Sequence, residues 1–416
     1  MTDRPVSVIV VSRGRPDALM RCLTGIKQQD HANFEVIVVV DPAACAVVRA
    51  SALVLKLATF DQANIACARN LGLGLASAPV VAFIDDDAVP EPSWLGRLTA
   101  PFAIPEVVQA GGFVRGRDGI SMQWQAVEVD SDGWDHALTV DGSAVSLHPG
   151  SAARAVKTQG TNCAFRRDDL LAIGGFDPCF HYYLDDADVN LRLAARGGLT
   201  AVVPLAQVHH GFAASTRRSP DRVPHGLTEI GASIACFLRR HGGDTAATAR
   251  HLAGQRARVL RLMQDGRIEP RDVARLMASL ASGLVEGARR PLAALQPLVA
   301  TPLPLVALPG CAPRVGCVLA GRIWQGRSLA RRARAAVAQG KIVTVFCLDP
   351  SIRRHHHVFC PEGYWWQRGG LFGQSERSGP WFRWWRFSAR VRAEGRRIVA
   401  LRPIDVTSGS AGLRHE

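Results

Sequence analysis

The first ninety residues alternate between short apolar runs and mixed segments. Val6-Ser7-Val8-Ile9-Val10-Val11 predicts a strand, and Ala18 to about Gln28 predicts a helix after the loop Ser12-Arg13-Gly14-Arg15-Pro16-Asp17. Phe34 to Val40 predicts a second strand, and Ala63 to Ser77 a second helix. Val80-Val81-Ala82-Phe83-Ile84 is apolar at every position, which predicts a strand buried on both faces of a parallel sheet. Pro90 to Leu95 opens another helix. This alternation of β and α is that of a nucleotide-binding α/β half-domain. Residues 111–157 lack a clear period, and a segment of that length in a compact domain is usually functional. Later, Asp185 onward reads as a helix with an acidic first turn, Val202-Val203-Pro204 and Val208-His209-His210 as short strands, and His225 to about Arg290 as Ala-, Leu- and Arg-rich helices.

The polar residues at the strand ends carry the candidate chemistry. The buried run at Val80 ends in Asp85-Asp86-Asp87, on the sheet edge where open α/β folds bind ligands. Three adjacent carboxylates repel one another, and a hard divalent cation, Mg²⁺ or Mn²⁺, shared with substrate phosphates would offset that repulsion. A solvated acidic turn is the alternative for an isolated run of this kind. Asp41 ends the second strand, where an acid commonly reaches a nucleotide's ribose or base. No G-x-G-x-x-G follows the first strand, which disfavours a dinucleotide fold. Asp185 and Asp186 suit the helix dipole, and either could also act as a general base toward a substrate hydroxyl. His209 and His210, returning toward the acidic cluster, could complete a metal shell.

Charge separates the chain into two parts. The net charge is +14, yet the first 313 residues carry 31 Lys+Arg against 30 Asp+Glu, whereas Arg314 onward carries 19 against 6. The basic part also holds six of the nine Trp. That pairing points to an anionic membrane surface as partner; nucleic acid is disfavoured because no helix-turn-helix, zinc-finger or RNA-binding pattern is present. Trp381-Phe382-Arg383-Trp384-Trp385-Arg386-Phe387 is expected to open a helix with an aromatic face and a cationic one. Between the parts, 291–313 holds six prolines and reads as an extended apolar linker, since a spanning helix could not satisfy its backbone. Met1 to Pro5 shows no secretory pattern, and the ten cysteines form no C-x-x-C pair. A reducing cytoplasm, with peripheral contact at the inner membrane face, is the expected location.

Taken in order, Val6-Ser7-Val8-Ile9-Val10, Val38-Val39-Val40-Asp41, Ala68-Arg69-Asn70, Phe83-Ile84-Asp85-Asp86-Asp87, Gly160-Thr161-Asn162, Gly174-Gly175-Phe176-Asp177, Asp185-Asp186-Ala187-Asp188 and His209 resemble the family-two inverting glycosyltransferases of the GT-A fold. The resemblance runs from about Val6 to Ser215. It implies an α/β GT-A catalytic domain with a Rossmann-like mixed sheet over 1–220. Beyond the resemblance, the chain's own pattern predicts a helical extension over 221–290, the linker 291–313 and a small α/β module over 314–416. It implies donor contacts from Ser12, Arg13, Asp41, Arg69, Asp85 and Asp86, a metal held by Asp87 and His209, and acceptor contacts from Asn162 and Trp124. Asp186 would be the catalytic base, with Asp185 standing where the family more often has Glu. The implied activity is a single displacement that moves a sugar from a nucleotide diphosphate to a glycan or lipid-linked acceptor in envelope or exopolysaccharide synthesis. The rival is a catalytically silent sugar-nucleotide-binding scaffold.

Overall fold

The computed structural model describes residues 4–211 and 217–405. Strands β1 (Val6–Ser12), β2 (Phe34–Val40), β3 (Lys56–Thr59) and β4 (Val80–Asp85) alternate with helices α1 (Pro16–Ile26), α2 (Pro42–Ala50) and α3 (Ile65–Leu75). β1 pairs in parallel with β2 and β4, and β2 with β3. Because side chains alternate across a strand, the unbroken apolar runs feed two cores. Val8, Val10, Val36 and Val38 pack on one side of the sheet, and Ile9, Ile37 and Phe83 on the other.

Beyond β4 come β5 (Ala88–Pro90), α4 (Trp94–Thr99) and β6 (Val107–Arg115). The aperiodic stretch contains five short strands, β7 (Met122–Trp124), β8 (Val127–Asp130), β9 (Asp135–Ala137), β10 (Ser146–His148) and β11 (Arg154–Val156). The order continues with β12 (Cys163–Arg166), α5 (Arg167–Ala172), α6 (Asp185–Ala194) and β13 (Leu199–His210). β12 lies antiparallel between β4 and β6, while β13 runs parallel to β6, so the main sheet is mixed, in the order β10-β13-β6-β12-β4-β1-β2-β3.

Helices α7 (Thr228–His241), α8 (Thr245–Gln264) and α9 (Pro270–Arg289) pack beside α6 through Leu191, Ile234, Phe237 and Leu280. A disulfide joins Cys179 to Cys236, contrary to the expectation of reduced cysteines throughout; it ties the loop before α6 to α7. The proline-rich stretch is a strap lying along the main sheet and its helices. Leu298 N, Thr301 N and Leu308 N donate to the carbonyls of Leu171, Gly74 and Phe34, and Lys56 Nζ reaches Leu303 O at 2.8 Å and buried Glu35 at 2.7 Å.

The basic part builds β14 (Gly316–Arg322), α10 (Gly326–Ala338), β15 (Ile342–Asp349), β16 (His356–Phe359), β17 (Trp365–Gly370) and α11 (Phe387–Ile398), with sheet order β14-β15-β17-β16. Its helix begins at Phe387, not at Trp381 as expected. Phe382 bridges Gly373, Arg383 N donates to Phe372 O at 3.0 Å, and Trp384 stacks on Phe372 at 4.8 Å, so the tryptophan run is laid out along a loop. Among the described residues no helix is long and apolar enough to cross a membrane.

Candidate active site

The acids at the end of β4 are held by loops from three directions. Asp86 is fully buried; Ser12 Oγ donates to it at 2.6 Å and Arg15 pairs with it at 2.5 Å. Burial pushes its carboxyl up to about 7, against the pull of Arg15. Arg15 also reaches Asp87 at 3.1 Å, and Arg218 approaches Asp87 at 3.5 Å. Arg69 is buried under the edge and bridges Asp85 at 3.3 Å and Asp185 at 2.5 Å. A Cβ at Gly160 would collide with that guanidinium, which explains the glycine of Gly160-Thr161-Asn162.

β5 pairs antiparallel with the end of β13, setting His210 opposite Ala88 and His209 opposite Val89. Adjacent residues in a strand face opposite sides, so only one histidine can turn to the acids. It is His210, whose Nε2 lies 3.1 Å from Asp87 Oδ1. His209, the expected metal ligand, turns instead into the interface with the basic module. Its Nε2 meets Glu91 at 2.8 Å, and its ring packs on Trp365 at 4.8 Å and His357 at 5.2 Å. Burial brings His209 down to about 4, so it is neutral and Nε2–H donates. Glu91 takes its positive partner from Arg402: burial favours its neutral form, but Arg402 and His209 bring it down to about 2.

Asp85, Asp87 and His210 each offer a ligand atom, all within 4.8 Å of one another. Two carboxylates and an imidazole form a donor set suited to Mg²⁺ or Mn²⁺, with Mn²⁺ better matched to the nitrogen.

The remaining expected residues are distributed as follows. Asp41 caps α2, accepting from Gly14, Ala43 and Ala44 N–H; burial opposes ionisation, but these donors hold its carboxyl below the usual range. Arg13 is exposed beside Asp61 at 3.7 Å. Asp185 is buried on Arg69, and burial pushes it up to about 7. Asp186, one residue on, is half-buried; it accepts from Gly160 N–H at 3.3 Å and Ala187 N–H at 2.8 Å. Trp124 lies half-buried on β7 with Lys157 Nζ 5.4 Å over its ring.

Asn162 does not face an acceptor. It is fully buried, donates to Phe113 O and Ala206 O, and accepts from Trp94 Nε1 at 2.7 Å, stitching β6 to β13. Gly175, at φ +65°, turns the chain so that Asn70 can hold both backbone groups of Phe176; a Cβ there would strike Asn70. Sequence reasoning missed Arg15, Arg218, Glu91 and Arg402. Arg15 alone carried a signal, lying in the loop after β1.

The family described as glycosyltransferase like family 2 matches residues 4–222. The pre-mycofactocin glycosyltransferase of Mycobacterium tuberculosis is 28% identical over 255 residues, covering 59% of this chain and 50% of that protein. The same organism's N-acetylglucosaminyl-diphospho-decaprenol L-rhamnosyltransferase is 35% identical over 78 residues, covering 19% and 25%. The chain thus spans half or less of the length of these relatives. Among solved structures, the mannosyltransferase PcManGT from Pyrobaculum calidifontis, in complex with GDP-Man and Mn²⁺, is 19% identical over 68% of this chain and 87% of its own, with a TM-score of 0.41. With more than half of its length matched by the family, the chain belongs to glycosyltransferase family 2, and its mixed α/β sheet is the GT-A arrangement expected from its motifs.

Proposed function

We propose that this chain transfers a sugar from a nucleotide-diphosphate donor to a lipid-linked or glycan acceptor, with inversion at the anomeric carbon. The observation that carries the reading is the convergence of Asp85, Asp87 and His210 within 4.8 Å, with Asp186 beyond Arg69 at the start of α6. Asp85, Asp87 and His210 would hold a divalent cation, which when bound supplies positive charge for the departing diphosphate. Asp41 and Gly14 line the nucleotide end, where the two are already joined by a hydrogen bond of 2.6 Å. Arg15 adds fixed positive charge beside Asp86 and Asp87, useful where negative charge develops.

Asp186 takes the acceptor's proton. Asp185 is less suited, because its carboxylate is committed to Arg69 in a buried pair. No covalent intermediate is needed, and one displacement inverts the sugar. A lipid-linked acceptor in envelope synthesis is supported by the relative named for a diphospho-decaprenol substrate. Peripheral contact with the cytoplasmic membrane face is supported by Trp381 and Trp384, which are 68% and 74% exposed, beside Arg383 and Arg386.

The test is donor hydrolysis or transfer followed by ¹H NMR across a panel of nucleotide sugars. Product of the opposite anomeric configuration is expected from wild type, and from Asp186→Asn the same product about 10²- to 10⁴-fold more slowly. Retention of configuration, or donor binding without turnover when lipid-linked acceptors are supplied, would refute the reading, the latter in favour of a scaffold.

A further inference from the structure

Beside the acids, where Arg218 reaches Asp87, lies a cavity of about 250 Å³. It is smaller than the roughly 300–1,000 Å³ of pockets that enclose drug-sized ligands, so it suits a compact head group. Its walls come from residues 217–226 and from α7 and α8, and they bring together Arg217, Arg218, Arg222 and Arg258 around Tyr182. Glu229 is the one acid among the described lining residues, and it is already paired with Arg290 at 3.0 Å and His181 at 3.4 Å.

The arginines are positioned rather than splayed. Arg217 lies 4.5 Å over the Tyr182 ring. Arg222 sits at φ +72° in a turn closed by Arg222 N to Ser219 O and Ser219 N to Val223 O. A bulky residue in the left-handed region is uncommon, and such conformations gather at ligand sites. Burial, together with the positive charge of Arg218, Arg258 and Arg117, weakens the hold of Arg222 on its proton.

We infer that this cavity is a subsite for a phosphate or diphosphate carried by the acceptor. Planar guanidinium groups match phosphate oxygens in two-pronged contacts, and four around one small space suit a group of high charge density. The location fits an acceptor better than a donor. Arg218 reaches Asp87 from this cavity, so a group anchored here holds its attached sugar beside the acids at the end of β4. The loops after β1 and β2, which would carry the nucleotide, do not line it. This inference rests on the transfer reading for its acceptor assignment, whereas the anion site itself stands separately.

The experiment is calorimetric titration of the full chain with inorganic pyrophosphate in EDTA, using wild type, Arg258→Gln, Arg222→Gly and Asp87→Asn. Glycine accepts a positive φ, so Arg222→Gly removes charge without straining the turn, and Arg258 lies on a helix where glutamine is well tolerated. Saturable binding is expected in wild type and Asp87→Asn, at least tenfold weaker in each arginine variant, with geranyl diphosphate competing. Absence of saturable binding, wild-type affinity in both arginine variants, or failure of geranyl diphosphate to compete would overturn the proposal. Binding that requires Mn²⁺ and vanishes in Asp87→Asn would overturn it too, by assigning the arginines to the donor diphosphate. Nucleotide-sugar binding with Mn²⁺, measured on the same wild-type protein, tests the transfer reading independently.

Discussion

Removing Arg402 should loosen the basic module from the catalytic sheet. Its side chain is fully buried, donates from both Nε and Nη2 to Glu91, and lies 3.7 Å over Trp365. Two charge-assisted hydrogen bonds at about 1.5–3 kcal/mol each set the scale. Breaking one partner of a buried pair costs roughly 3–5 kcal/mol, because the other charge stays behind without compensation. Arg402→Met keeps much of the volume against Trp365 and isolates the charge, so a loss of about 3–5 kcal/mol is expected. Glu91→Gln should cost a comparable amount by stranding Arg402. The double variant should recover about 2–3 kcal/mol relative to the sum of the singles, since neither charge is then left unpaired. Equilibrium urea unfolding followed by tryptophan fluorescence and far-ultraviolet dichroism measures all three. A loss below about 1 kcal/mol for Arg402→Met, or strict additivity of the singles, would refute the argument.

Acid should weaken the same interface through His209. Its folded pKa of about 4 lies below the ordinary 6.5, so the unfolded chain takes up the proton first and stability falls as pH drops from 6.5 toward 4. Between pH 7 and 5 the loss is about 2 kcal/mol, and it should appear as the difference between wild type and His209→Gln, which lacks the group. The difference matters because Asp86 and Asp185, raised to about 7, act in the opposite sense. Equal pH slopes in the two proteins would contradict this assignment. Asp186→Asn should lower transfer by about 10²- to 10⁴-fold with donor affinity unchanged, as measured by initial rates and calorimetry. Trp381→Ala with Trp384→Ala should reduce cosedimentation with anionic vesicles and leave the melting temperature unchanged; undiminished cosedimentation would count against membrane contact there.

The sheet was legible where sequence pattern and burial agree. β1, β2 and β4 are unbroken apolar runs because both sheet faces are covered, and their carboxyl ends point to the site. Elsewhere the pattern could not carry the answer. Which of two adjacent histidines meets Asp87 depends on the register of β5 with β13, a pairing across more than a hundred residues. Asn162 resembles a surface ligand in sequence, yet it is consumed by the carbonyls of Phe113 and Ala206. The aromatic run at Trp381 has helical spacing, but stacking on Phe372 and backbone bonding draw it into a loop. Glu91 and Arg402 lie 311 residues apart, and nothing local marks them as partners.

The central claim is that Asp85, Asp87 and His210 hold a cation that binds the donor diphosphate. Calorimetric titration of nucleotide sugars with and without Mn²⁺, on wild type, Asp87→Ala and His210→Ala, tests it most directly. The account predicts metal-dependent binding of at least one donor in wild type, lost in Asp87→Ala and at least tenfold weaker in His210→Ala. Donor binding that is equally tight in EDTA, or unchanged in both variants, would contradict it.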